Sequence, residues 1–113
     1  MDKISVLFVC LGNICRSPAA EALFIKRIKE RGIDDRFLVD SAGTGSWHVG
    51  KKSDSRMRLA AKNRKIDITS KARQINKNDF QKFNYIITMD DSNYKNVMRL
   101  KNREPYSDNC KVR

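Results

Sequence analysis

Two residues near the start of the chain could together hold and attack a phosphate group: Cys10 and Arg16, with five residues between them. A loop of that length can curl so that its backbone N–H groups converge on an anion. Gly12 permits the sharp turn that this needs, and Asn13 is among the few other residue types that tolerate a positive φ. The planar fork of Arg16 can then bind two oxygens of one phosphate. The spacing predicts a phosphate-binding loop made of Leu11, Gly12, Asn13, Ile14, Cys15 and Arg16.

Cys10 lies at the base of this loop and is the predicted nucleophile. A helix N-terminus and cationic neighbours favour the thiolate over the thiol, and the thiolate is the form that attacks phosphorus. The hydroxyl of Ser17 could donate a hydrogen bond that steadies the sulfur. The alternative is a cysteine that ends a buried strand and packs as a small hydrophobic residue. Arg16, Ser17 and Pro18 at this spacing favour the nucleophile.

The surrounding elements predict how the loop is positioned. Residues 4–9 are short, rich in β-branched types and nearly all apolar, which indicates a parallel strand buried on both faces. Ser17 and Pro18 predict a helix start, with Ser17 as the N-cap. Further strands are expected at 37–39, 85–89 and from 110, and further helices at 54–64, 77–83 and 91–100. This alternation predicts an open parallel α/β sheet with helices on both faces, and ligands in such sheets bind outside the carboxyl ends of the strands.

Composition narrows the classes of function. The 113 residues suit one domain, 1–113, and the formal net charge of +11 favours anionic ligands. The basic residues are scattered, so no specific nucleic-acid partner is expected. No apolar run reaches the length of a membrane span and no secretory signal is visible, which predicts a cytoplasmic protein without a membrane partner. The three cysteines and single histidine lack zinc-site spacing, so neither a metal nor a cofactor is expected.

The loop resembles the signature of the low molecular weight protein tyrosine phosphatases. The residues that carry the resemblance run from Val9 to Ala22, and it continues through 40–44, 72–75 and 89–93. It covers essentially the whole chain. The resemblance implies a phosphotyrosine phosphatase I-like, Rossmann-like three-layer fold. It also implies hydrolysis of phosphotyrosine in proteins, or of a small aryl phosphate, through a phosphocysteine on Cys10, with inorganic phosphate as the product.

The resemblance further implies roles for residues that support or protect the loop. The loop shape would be held by Asn13, Ser17 and Ser41. Cys15 would form a reversible disulfide with Cys10 under oxidants and protect the nucleophile from over-oxidation. The alternative for Cys15 is that it only fills space in the packing.

Two positions bear on the substrate through the same resemblance. Trp47 matches the aromatic wall that stacks on the phosphotyrosine ring, and the alternative is that Trp47 only packs its own loop. Ile14 matches the tyrosine-directed members of the family. Related arginine phosphatases resemble the family but have a threonine at this position. His48, beside Trp47, could touch the substrate, but a loop histidine with no other role is the favoured interpretation.

One part of the family pattern has no match. The family's general acid is an aspartate in an Asp-Pro-Tyr-Tyr or similar motif near the C-terminus, and no Asp-Pro occurs here. Glu104, Pro105 and Tyr106 mimic the motif but come too early, and we interpret them as a turn. The expectation is a C-terminally shortened domain with an incomplete fourth strand and without the last helix. Because general acid catalysis contributes about 10²–10⁴-fold, weak turnover by this chain alone would follow.

Two other functions stay open on sequence grounds. The missing acid favours a phosphate-binding or phosphoprotein-binding module without turnover. An arsenate reductase on the same fold is less favoured because its chemistry needs further cysteines to relay a disulfide. Residues 60–95 contain no cysteine, and Cys110 is isolated.

Overall fold

A four-stranded, all-parallel sheet in the order β2-β1-β3-β4 forms the centre of the protein. The computed structural model describes residues 3–103 and 109–113. The strands are β1 (Ile4–Cys10), β2 (Phe37–Gly43), β3 (Tyr85–Thr88) and β4 (Lys111–Val112). The helices are α1 (Arg16–Glu30), α2 (Ser55–Asn63), α3 (Asp79–Lys82) and α4 (Asp91–Lys101), and a 3₁₀ turn (Asp34–Arg36) precedes β2. The predicted fold class is confirmed.

The central strand β1 is apolar except for Ser5, as expected for a strand with both faces covered. On one face Phe8 contacts Phe24 of α1, with ring centroids 5.7 Å apart, and Phe24 packs edge-on against Phe37 at 5.3 Å. On the other face Leu7 and Val9 join a core to which α3 and α4 contribute. The buried members of that core are Leu7, Val9, Ala42, Ile75, Phe80, Phe83, Ile86, Val97, Cys110 and Val112.

Helix α1 begins two residues earlier than the sequence predicts. Cys15 occupies the N-cap position and makes no capping hydrogen bond through its side chain. Ser17 is therefore not the N-cap; it lies inside the first turn, fully buried, with its hydroxyl directed at the preceding loop. The predicted end of the helix is confirmed, since Gly32 follows it with a φ of +66°.

Two other helices begin at aspartate caps. The carboxylate of Asp54 accepts a hydrogen bond from the N–H of Met57 (3.1 Å) at the start of α2. At the start of α4, Asp90 accepts one from the N–H of Asn93 (2.8 Å). Asp90 follows β3, so this cap lies at the same edge of the sheet as the loop after β1.

Strand β2 extends four residues further than predicted, to Gly43. It pairs with β1 along its whole length, from Ile4 opposite Phe37 to Cys10 opposite Gly43. Residues 40–43 contain polar and small types that favour a loop locally, and pairing with a buried neighbour overrides that preference. The predicted strand near the C-terminus is present as β4, paired with β3. Glu104, Pro105 and Tyr106 lie outside the described residues.

Within the described ranges, none of the helices has the length and apolar character needed to cross a lipid bilayer.

Candidate active site

The loop after β1 turns its carbonyl groups outward. Three of them accept backbone hydrogen bonds: Cys10 O from Thr44 N (2.9 Å), Leu11 O from Gly45 N (2.8 Å) and Ile14 O from Asp54 N (2.6 Å). Among the described residues no acceptor pairs with the N–H groups of Leu11, Gly12, Ile14, Cys15 and Arg16. The loop therefore offers a set of unpaired donors at a helix N-terminus, an arrangement that binds anions.

Gly43 allows β2 to pass directly beneath this loop. A Cβ at that position would lie 2.7 Å from Leu11 O and 3.1 Å from Asn13 N. Contacts this short with backbone atoms would displace the loop, so the position requires glycine.

The sulfur of Cys10 lies in a buried, polar setting. The side chain is 4% exposed. Its Sγ is 3.0 Å from the hydroxyl of Ser17 and accepts a hydrogen bond from the N–H of Asn13 at 3.3 Å. When the sulfur is ionised, both groups donate to it, and hydrogen bonds to a charged acceptor stabilise that charge. The geometry therefore places two hydrogen-bond donors at the sulfur of Cys10.

Asn13 holds the loop in its shape. Its φ is +58°, in the left-handed region that asparagine tolerates, and its side chain is 1% exposed. The amide nitrogen Nδ2 donates to Ser17 Oγ (2.8 Å), and Oδ1 accepts from the backbone N–H of Arg73 (2.9 Å). One side chain thus ties the loop to α1 and to a segment sixty residues further along the chain.

Arg73 is a structural residue to which sequence reasoning assigned no role. Its guanidinium binds both oxygens of Asp79, each at 3.0 Å, and its Nε donates to Asp40 at 3.1 Å. Burial alone would lower the pKa of Arg73, but the bonds to Asp79 and the charges of both carboxylates raise it. These bonds fix the Arg73 backbone, which donates to Asn13 and accepts from Gly43 N at 2.8 Å. The only signal in the sequence was the family resemblance of residues 72–75.

Arg16 is paired with Asp90, which the sequence did not predict as a partner. Its Nη1 lies 2.8 Å from Asp90 Oδ2, and about half of its side chain is exposed. The hydrogen bond to Asp90 raises the pKa of Arg16. The pKa of Asp90 is lowered, chiefly by the hydrogen bond from the backbone N–H of Asn93 and secondly by the bond from Arg16. Because exposed ion pairs are weak, the guanidinium remains free to turn toward a dianion.

A cavity of about 260 Å³ opens above the loop. It is lined by Cys10, Leu11, Gly12, Ile14, Cys15, Arg16, Trp47 and His48. The fold thus brings Trp47 to the cavity, at its rim, where the side chain is 67% exposed. The indole lies over Gly45, where a Cβ would come within 1.8 Å of a ring carbon. The His48 ring lies against Gly12 in the same way, at 2.9 Å from a Cβ there.

Ser41 supports the helix rather than touching the loop. Its hydroxyl donates to Glu21 Oε1 in α1 at 2.6 Å. Burial, the largest cause, raises the pKa of Glu21, and the hydrogen bond from Ser41 only partly offsets it. Cys15, for which the family resemblance implies a redox role, lines the cavity with Cys10, and neither thiol forms a disulfide.

The substitution Glu21→Gln is expected to raise the free energy of unfolding relative to the unsubstituted protein, and this difference should grow as pH rises. Because the pKa of Glu21 is raised from 4.5 in the folded state, the folded protein binds more protons than the unfolded chain above that pH. The stability that this group contributes is complete below its unfolded pKa and is lost as pH rises through the folded pKa. Glutamine cannot ionise and still offers an oxygen to Ser41.

Urea unfolding of both proteins from about pH 4 to pH 7 measures this difference. Glu30→Gln removes an exposed carboxylate from the same helix and is the matched control. A stability difference between Glu21→Gln and the unsubstituted protein that stays constant with pH would refute the prediction.

Known proteins resemble this chain in sequence and in fold. A family model described as "Low molecular weight phosphotyrosine protein phosphatase" matches residues 5–111. This chain belongs to that family. The low molecular weight phosphotyrosine protein phosphatase of Schizosaccharomyces pombe is 48% identical over 100 residues, which cover 88% of this chain and 64% of the relative. The family membership expected from the sequence is confirmed.

Two solved structures of the phosphatase fold superpose closely on this member of the family. A protein tyrosine phosphatase from Entamoeba histolytica with Hepes in its active site aligns with a TM-score of 0.86 and 43% identity. The alignment covers 96% of this chain and 69% of that one. A Drosophila arginine phosphatase aligns with a TM-score of 0.91 and 37% identity, covering 95% of this chain and 68% of the other. The chain spans about two thirds of the length of the relatives it matches.

Proposed function

We propose that this chain hydrolyses phosphotyrosine through a phosphocysteine on Cys10. The observation that carries the proposal is the buried sulfur with Ser17 and Asn13 as donors, at the floor of a loop with unpaired N–H groups. A nucleophile and an anion-binding loop in one cavity are the two parts that phosphoryl transfer needs. The family assignment supports the same chemistry.

In the first step the thiolate of Cys10 attacks phosphorus in line with the bond to the aryl oxygen. An S–P bond forms, the P–O bond breaks, and the phenolate leaves with the bonding electrons and takes a proton. The N–H groups of residues 11–16 and the guanidinium of Arg16 bind the equatorial oxygens and stabilise their charge. In the second step water attacks phosphorus and loses a proton, the S–P bond breaks, and thiolate and inorganic phosphate are released.

An aryl phosphate is the substrate class that the cavity fits best. Ile14 and Trp47 line the cavity beside Cys10, so an aromatic ring can lie between an aliphatic wall and an indole. The Drosophila relative is described as an arginine phosphatase. For this chain Ile14 offers no hydrogen bond to a guanidinium, which favours an uncharged aryl group beside it. Phosphotyrosine in a protein, or a small aryl phosphate, is the proposed substrate.

The supporting roles follow from the contacts. Asn13 and Ser17 hold the loop and the sulfur, while Ser41 acts through Glu21 on the helix that carries Arg16. Cys15 is proposed as the partner that forms a disulfide with Cys10 under oxidants. A reducing compartment, the cytoplasm, suits a mechanism that depends on a free thiolate.

Trapping the covalent intermediate tests the proposal. The chain is mixed with p-nitrophenyl phosphate, quenched within milliseconds, digested and analysed by mass spectrometry. The expected result is a burst of p-nitrophenol about equal to the protein concentration, with phosphate on the peptide that contains Cys10. A leaving group of low pKa is chosen because it departs without a general acid.

Cys110→Ser, which removes a buried thiol outside the cavity, is the matched control and should retain the burst. Phosphate on another residue, or product release without a burst, would argue against the mechanism. Binding of inorganic phosphate without any turnover would favour the binding module instead. Phosphoarginine and phosphotyrosine peptides compared side by side test the substrate class, and faster turnover of phosphoarginine would contradict it.

A further inference from the structure

A second cavity adjoins the catalytic one. Its volume is about 330 Å³, and it is lined by Leu11, Thr44, Gly45, Trp47, Asn96, Arg99, Leu100 and Arg103. Leu11 and Trp47 line both cavities, so the two spaces are adjacent. A molecule held above Cys10 can therefore extend past Trp47 toward the second cavity.

The part of this second cavity that α4 and its last turn line is positively charged. Four of the lining residues are spaced at intervals of three, one and three along the chain, so they lie on one face of α4 and its last turn: Asn96, Arg99, Leu100 and Arg103. Among the described residues, no carboxylate forms an ion pair with Arg99 or Arg103. The proposed mechanism uses neither guanidinium.

The side chains that line this cavity suit an anion. Arg99 and Arg103 contribute two guanidinium groups, and Asn96 contributes an amide that can donate a hydrogen bond. A guanidinium binds a carboxylate through charge-assisted, frequently bidentate hydrogen bonds. The lining therefore matches a carboxylate.

We propose that the second cavity is a specificity subsite for an acidic residue flanking the phosphotyrosine in the substrate. Consecutive Cα atoms are about 3.8 Å apart, so a side chain one or two positions from the phosphotyrosine can span the Trp47 wall between adjacent cavities. Its carboxylate pairs with Arg99 and Arg103. This proposal rests on the function proposed above and adds the sequence context that the enzyme selects.

Matched phosphopeptides test the subsite. The peptides share one sequence and carry Glu, Gln or Lys at each position from two before to two after the phosphotyrosine. At one of these positions we expect kcat/KM for Glu to exceed that for Gln by about three- to tenfold, the range for one or two partly exposed ion pairs. The preference should shrink as salt is raised from about 0.05 to 0.5 M, because salt screens exposed charges.

Two double variants separate the subsite from the general basicity of the surface. Arg99→Ala with Arg103→Ala should reduce the Glu-over-Gln ratio to about one. Arg31→Ala with Arg36→Ala removes the same charge near the amino end of β2, away from the cavity, and should leave the ratio intact. Equal rates for Glu and Gln peptides, or a preference that survives in the first double variant, would overturn the subsite.

Turnover of p-nitrophenyl phosphate, measured with every variant, separates the two proposals. This compound has no flanking residue, so its turnover reports on the catalytic loop alone. If it is hydrolysed and the peptides show no charge preference, the subsite fails and the proposed function stands. If it is not hydrolysed, the proposed function fails. The affinities of the same peptides for the chain, measured by titration, then test the subsite, which requires tighter binding of the Glu peptide than of the Gln peptide.

Discussion

Replacing Cys10 with serine is expected to lower turnover of p-nitrophenyl phosphate by a factor of about 10³ or more. The serine hydroxyl is not ionised near neutral pH, so the two donors that face the sulfur have no anion to stabilise. The loop amides and Arg16 stay in place, so inorganic phosphate should still bind. Steady-state kinetics and phosphate titration by calorimetry measure the two properties separately.

Cys15→Ser is the matched control for this prediction, because it removes a thiol from the same cavity without touching the proposed nucleophile. It should keep most of the activity under reducing conditions. Turnover by the Cys10→Ser protein within tenfold of the unsubstituted chain would show that another group attacks phosphorus.

The substitution Arg16→Lys is expected to lower kcat/KM by about 10²–10³-fold, the loss typical of removing one donor from a transition-state anion site. Lysine keeps the positive charge and can still pair with Asp90. It cannot donate two parallel hydrogen bonds to a transferring phosphoryl group, so the loss reflects geometry rather than charge. The measurement is kcat/KM for p-nitrophenyl phosphate across a range of ionic strengths.

Arg27→Lys on the same helix is the control, since Arg27 is exposed and its one ion pair within residues 3–103 and 109–113 is with Glu30, at 3.3 Å. Its effect on kcat/KM should be within experimental error. If Arg16→Lys behaves like this control, charge alone suffices and the bidentate role of Arg16 is wrong.

The parts of the site that depend on local sequence were predictable. A run of mostly apolar, β-branched residues that ends at Cys10 predicts a buried strand. Gly12 and Asn13 predict the sharp turn that follows it. The positive φ expected at Asn13 is present at +58°. The alternation of strands and helices likewise predicts the parallel sheet and places the loop at its carboxyl edge.

The parts that depend on tertiary contacts were not predictable from one sequence. Arg73, Asp40 and Asp79 are ordinary surface residue types, and nothing in their spacing indicates that one guanidinium joins both carboxylates. The pairing of Arg16 with Asp90 spans 74 residues, beyond the reach of any local pattern. Serine before proline predicts a helix cap at Ser17, but Cys15 occupies the cap position. The contact expected between the Ser17 hydroxyl and the sulfur is present.

The bond between Asn13 and the Arg73 backbone links catalytic competence to the completion of folding. Closing a loop of sixty residues has a large entropic cost, which is offset only when β2 and the segment around Arg73 are docked together. A folding intermediate that contains only β1 and α1 would include Cys10 but would have no ordered loop to bind an anion. Under the proposed function, phosphate binds the native state selectively, so substrate or product in solution stabilises the folded protein by mass action.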